Sequence, residues 1–164
     1  MPASFIRLAA GALVCALAWP ASAQLLNEKN LSAAMAMTIA ETALETCTKQ
    51  GYHVSVHVLG RNGEVLVAVR GDGAPPHTME NSQRKAYTAR TFRMPSAEFV
   101  QRFVKDNPTT GLVHLSRVIA AGGALPIKVG DDVIGAIGVS GAPPPDKDEA
   151  CARAGLDKVV DRLK

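Results

Sequence analysis

The residues of this 164-residue sequence with chemical potential are four histidines, two cysteines that remain beyond the first 23 residues, one lysine and a double glycine. His53 and His57 lie four apart in a run with strand character, which puts them on one face about 13 Å apart, too far to share a metal ion. His77 sits in the Gly/Pro-rich stretch Gly71–His77, just ahead of a predicted helix. A histidine so placed can project from a loop as a metal ligand. His114 precedes the glycine-rich turn and is a second candidate for the same cavity. Gly122-Gly123 can aim two backbone amides at an anion such as a carboxylate, or simply form a turn. Arg70, Asp72 and Lys85 are the remaining polar candidates, with an ion pair from Lys85 to Asp72 or Glu80 as the plainer use of that lysine.

Several chemistries are excluded by what those residues are not next to. The sequence contains no HExxH, GxSxG, CxxC or CxxCH motif, which removes the signatures of zinc hydrolases, serine hydrolases, thioredoxins and covalently attached c-type haem. Gly135, Gly138 and Gly141 step by three within and after a strand, unlike a dinucleotide-binding glycine loop. The formal charge of +3 carries no basic block, and aromatic residues make up 4% of the chain. Nucleic-acid binding therefore has neither its electrostatic footprint nor its stacking surface.

The elements that must position these residues are legible in the hydrophobic pattern. Residues 1–23 read as a cleaved signal peptide: Arg7, the apolar run Leu8–Ala18, and Ala21-Ser22-Ala23 before Gln24. That run is too short to span a bilayer, so residues 24–164 are expected as one periplasmic or secreted domain. In such a compartment Cys47 and Cys151, each on a predicted helix, either form a disulfide or stay as buried thiols.

A helix is expected over Leu31–Gln50, capped by Asn30 or Ser32 and stopped at Gly51. Strands follow at His53–Leu59 and Glu64–Arg70, joined through Asn62-Gly63. Val54, Val56 and Val58 share one face of the first, and the second is apolar on both faces. Thr78 is expected to cap a helix to Phe92, and Ser96 a shorter one over Ala97–Lys105. Asn107–Gly111 is a loop, and Leu112–Ala120 an irregular segment or short strand. Leu125–Val129 and Val133–Ser140 form the last strand pair around Gly130-Asp131-Asp132. The second of these strands carries no charge and is expected at the centre of the sheet. Its glycines imply that a helix or a ligand packs against the backbone. A final helix over Asp148–Leu163 is expected to start with a capping box at Asp146 and Glu149.

The stretch Gly122–Gly155, together with the strand pair His53–Arg70 and the segment Ser82–Phe92 (SQRKAYTARTF), resembles the GlcG/HbpS family, which includes the C-terminal domain of PduO-type proteins. The resemblance covers nearly everything after about Asn30. It implies an α+β fold: a single domain with a profilin-like layout, an antiparallel sheet of four or five strands, the first and last helices on one face and the middle helices on the other. It also implies an exported haem-binding accessory protein, with non-covalent haem in a loop or subunit-interface cavity. His77 or His114 would be the iron ligand, and Lys85 or Gly122-Gly123 would meet the propionates. Homo-oligomers from dimer to octamer are implied as well, with a membrane sensor or redox protein as a further partner. Two alternatives stand beside this one: an enzyme acting on a small carboxylate or carbonyl compound, and an oligomeric partner subunit without ligand.

Overall fold

The computed structural model describes residues 24–107 and 111–164; the expected signal peptide and part of the Asn107–Gly111 loop lie outside the described residues. Four helices and four strands follow in the order α1 (Ala33–Lys49), β1 (Ser55–Leu59), β2 (Val65–Arg70), α2 (His77–Phe92), α3 (Ser96–Val100), β3 (Ala124–Val129), β4 (Asp132–Ser140) and α4 (Pro145–Asp157). The sheet is antiparallel with order β2-β1-β4-β3. Among the described residues the architecture is therefore a single α+β domain with a four-stranded sheet.

Alternation decides which helix covers which face. Val54, Val56 and Val58 point to the side packed by α1 and α4, where the main core also gathers Ile39, Ile127, Ile137 and Val139. Ser55 and His57 point to the opposite side, beneath α2. The contacts there are small: Leu59, Ala86, Ala89, Ala124 and Ala136 form a second cluster. Small side chains let α2 approach the sheet closely. At Gly138 the approach is closest: an added Cβ would strike Ser82 O and lie 2.7 Å from Ala86 N. The helix, then, is what packs against this glycine. β4 is central and buried from Val133 to Ser140, as its uncharged sequence required.

Cys47 of α1 and Cys151 of α4 form a disulfide, with Cα atoms 5.7 Å apart. This resolves the choice between a bridge and two buried thiols. Ser32 caps α1, its hydroxyl accepting from Met35 N at 3.2 Å.

Other local expectations are corrected. β2 is an edge strand with Val65 and Ala68 exposed, not a strand covered on both faces. Thr78 lies inside α2, and its hydroxyl donates to Pro75 O instead of capping the helix. Ser96 is the first residue of α3, and its oxygen accepts from Ala124 N at 3.0 Å. It thereby ties α3 to the sheet. α3 continues into a π turn at Gln101–Lys105. Phe92, Phe99 and Phe103 stack there with ring centroids 4.5–5.8 Å apart. The start of α4 carries no capping box; Pro144 occupies the cap, and the helix ends at Asp157 before a short 3-10 turn.

Candidate functional site

The first turns of α2 and α4 come together beside the end of β4. α2 begins where the proline pair Pro75-Pro76 ends the preceding loop. α4 begins after Ala142-Pro143-Pro144, with Pro145 as its first residue, a position where the missing amide hydrogen costs nothing. The two proline-bounded starts face each other across a cleft of about 360 Å³, lined by Pro75, His77, Thr78, Gly141, Ala142, Pro143, Pro145 and Asp148. His77 is exposed at its edge. Among the described residues its imidazole makes no hydrogen bond, so both ring nitrogens remain able to bind.

Beneath the cleft the two helices are joined by a buried ion pair. Lys85 Nζ donates to Asp148 Oδ2 at 2.8 Å and to Val139 O at 3.1 Å, and both residues are 4% exposed. Asp148 Oδ1 accepts from Ala142 N at 2.8 Å. Burial pushes the Asp148 carboxyl up from its ordinary value, against the opposing pull of the Lys85 ammonium. Gly123, at φ 115°, packs on this pair: an added Cβ would lie 2.7 Å from Asp148 Cβ and 3.0 Å from Lys85 Nζ. Glycine suits both the conformation and the space.

The expected partners of Lys85 are replaced. Glu80 instead pairs with Arg84, and the Asp72 carbonyl contacts His53 Nδ1 at 2.7 Å. Asp148 was missed because nothing local marks it; it looks like an ordinary first-turn acid of a helix, and its partner is 63 positions away.

A second cleft of about 470 Å³ lies on the other side of Pro145, lined by Ala97, Gly122, Pro145, Asp146, Glu149, Ala150 and Arg153. The double glycine is thus divided, with Gly122 in this cleft and Gly123 against the ion pair. His114 lies exposed on the 3-10 turn Gly111–His114 and lines neither cleft. His53 borders a separate hollow with Arg70 and Asp72. His57 is buried, its Nδ1 2.8 Å from Ser82 Oγ, and desolvation pushes its pKa down.

Of the residues singled out in the sequence, the structure brings together His77, Lys85 and Gly123 around Asp148. It leaves His114 apart. Among the described residues no three His, Cys, Asp or Glu side chains converge on a point that could hold a metal ion directly. What the cleft offers is one exposed imidazole beside apolar proline and alanine walls.

Comparison with known proteins is consistent with this architecture. The family model described as haem degrading protein HbpS-like matches residues 31–157. Protein GlcG of Escherichia coli strain K12 is 32% identical over 110 residues, spanning 67% of this chain and 81% of GlcG. A crystal structure of HbpS superposes with a TM-score of 0.77 at 38% identity, covering 82% of this chain and 93% of that one. A crystal structure of a PduOC–haem complex shares the fold, with a TM-score of 0.71 at 24% identity over 78% of this chain and 94% of the other. By the extent of the family match and by its likeness to GlcG and HbpS, the chain belongs to the HbpS-like family.

Proposed function

We propose that this protein is an exported haem-binding, haem-handling protein, and that His77 is its iron ligand. The observation that carries the proposal is the placement of His77: an exposed imidazole at the edge of a cleft whose walls are Pro75, Ala142, Pro143 and Pro145, in a chain that matches a haem-named family over residues 31–157.

The residues fit a macrocyclic iron cofactor better than a bare ion. Haem iron would need only one protein donor, because the porphyrin brings four nitrogen donors of its own. A bare ion needs several converging side chains, and no such set occurs among the described residues. When bound, haem supplies a redox-active iron with an open coordination position. The protein's own residues hold and shape. His77 offers the donor nitrogen. The prolines offer rigid apolar surface for the ring. The Lys85–Asp148 pair ties α2 to the first turn of α4, which forms one wall.

Export follows from the sequence of residues 1–23 and is supported by the Cys47–Cys151 disulfide, a bond that persists in oxidising compartments. The cleft is open in one protomer, and edge strand β2 exposes Val65. Both features suit a homo-oligomer in which a second copy closes over the ligand. A haem titration monitored by absorption tests the assignment. Loss of the bound-haem absorbance on adding a reductant in air would separate degradation from carriage in the same sample.

A further inference from the structure

The hollow at His53 lies where the C-terminal end of α1 meets the end of β2, and it shares no lining residue with the His77 cleft. It encloses about 250 Å³, with Leu44, His53, Arg70 and Asp72 on its walls. The loop that follows β2 sets two of these side chains in place. Arg70 Nε and Nη2 both donate to Ala74 O, at 2.9 and 2.6 Å. Ala74 is buried, so the arginine is anchored on an interior carbonyl, and its Nη1 keeps its hydrogens for another acceptor. His53 Nδ1 lies 2.7 Å from Asp72 O. A carbonyl only accepts, so Nδ1 carries the hydrogen and Nε2 is left as an acceptor. An added Cβ on Gly73 would lie 3.0 Å from the same Nδ1, which shows how tightly the loop closes on the ring.

Arg70 and Asp72 are near neighbours in sequence and line one hollow, yet they do not pair. The guanidinium is held on Ala74 O instead, and among the described residues the Asp72 carboxylate has no hydrogen bond or ion pair. His53, Arg70 and Asp72 are all exposed, so a ligand reaches them from solvent. The hollow therefore presents a fixed cation and an unpaired carboxylate together, beside the apolar Leu44 side chain. A simple anion placed there is repelled by Asp72, and a simple cation by Arg70. A molecule that carries both charges escapes both penalties.

We propose that this hollow binds a free α-amino acid, with Arg70 taking its carboxylate and Asp72 its ammonium. The planar guanidinium suits a carboxylate. His53 Nε2 is a second acceptor for the ammonium, and Leu44 offers contact to an aliphatic side chain. The ligand would thus bridge two opposite charges that the protein itself keeps apart.

Calorimetric titration of the purified protein with glycine, L-alanine and L-leucine, at neutral pH and constant ionic strength, tests the site. Acetate and methylammonium serve as the two half-ligands. The expected result is saturable binding of at least one amino acid, with both half-ligands weaker by about tenfold or more. Asp72→Asn keeps the backbone carbonyl that holds His53 and should keep the fold while weakening the amino acid by about tenfold or more; Arg70→Gln should do the same. Absence of saturable binding for all three amino acids, acetate or methylammonium binding as tightly as the amino acid, or wild-type affinity in Asp72→Asn would overturn the proposal. None of these results depends on whether His77 binds haem.

Discussion

Lys85 Nζ and Asp148 Oδ2 lie 2.8 Å apart in the interior, and this contact fastens the middle of α2 to the first turn of α4. The two residues come from helices on opposite faces of the sheet, and they meet at the end of β4, where Lys85 Nζ also reaches Val139 O and Gly123 leaves room. Asp148 itself lines the His77 cleft, whereas the α2 wall, His77 and Thr78, lies about two turns before Lys85.

Removing one partner leaves the other charge buried without compensation, which typically costs about 3–5 kcal/mol. Lys85→Met should show a loss of that size in urea unfolding at pH 8. Burial already pushes the Asp148 carboxyl up, so without Lys85 it takes up a proton more readily, and the penalty should shrink as pH is lowered toward 5. A penalty that stays below about 1 kcal/mol at pH 8, or that grows on acidification, would contradict the role assigned to the pair.

The disulfide makes a separate prediction. Cys47 and Cys151 are separated by 104 positions, so the bond closes a long loop and restricts the unfolded chain strongly. Reduction, or the double substitution Cys47→Ala/Cys151→Ala, should lower stability by roughly 2–5 kcal/mol. Thiol counting on unreduced protein should give no reactive thiol from this pair. Two free thiols in protein recovered from an oxidising compartment would contradict it.

His57 gives the pH dependence. Its folded-state pKa is pushed down by desolvation from an ordinary value of about 6.5. The unfolded chain therefore takes up the proton first. Stability contributed by neutral His57 is present above about pH 6.5 and falls as the pH drops below it. Thermal unfolding from pH 8 to pH 5 should show this decline, and His57→Gln, which keeps a polar partner for Ser82, should flatten it. An equal decline in both proteins would assign it elsewhere.

Fold and site were unequally legible in the sequence. Patterns governed by near neighbours read well. The alternation of Val54, Val56 and Val58 named the core face of β1, and the uncharged run of β4 named the central strand. The resemblance to the GlcG/HbpS family gave the layers before any coordinate. Gly138 announced a close approach, and only the structure identified α2 as the element that makes it. β2 was misjudged because half-buried valines on an edge strand look like fully buried ones when only residue type is visible. Thr78, Ser96 and Asp146 were read as caps because capping chemistry is local. The first two hydroxyls bond across the fold or back to a loop, a choice set by tertiary packing. The same limit hid the pairing of Lys85 with Asp148. Such pairings depend on chain segments that sequence distance does not relate.

The central claim is that His77 holds haem in the cleft between α2 and α4. The most direct measurement is a haem titration of the purified protein beside His77→Ala and His114→Ala, followed through the Soret band. The account predicts saturable, stoichiometric binding with a sharp band in the wild type and in His114→Ala, and loss of that band in His77→Ala. A weak, unsaturable signal in the wild type, or a band unchanged by His77→Ala, would contradict it.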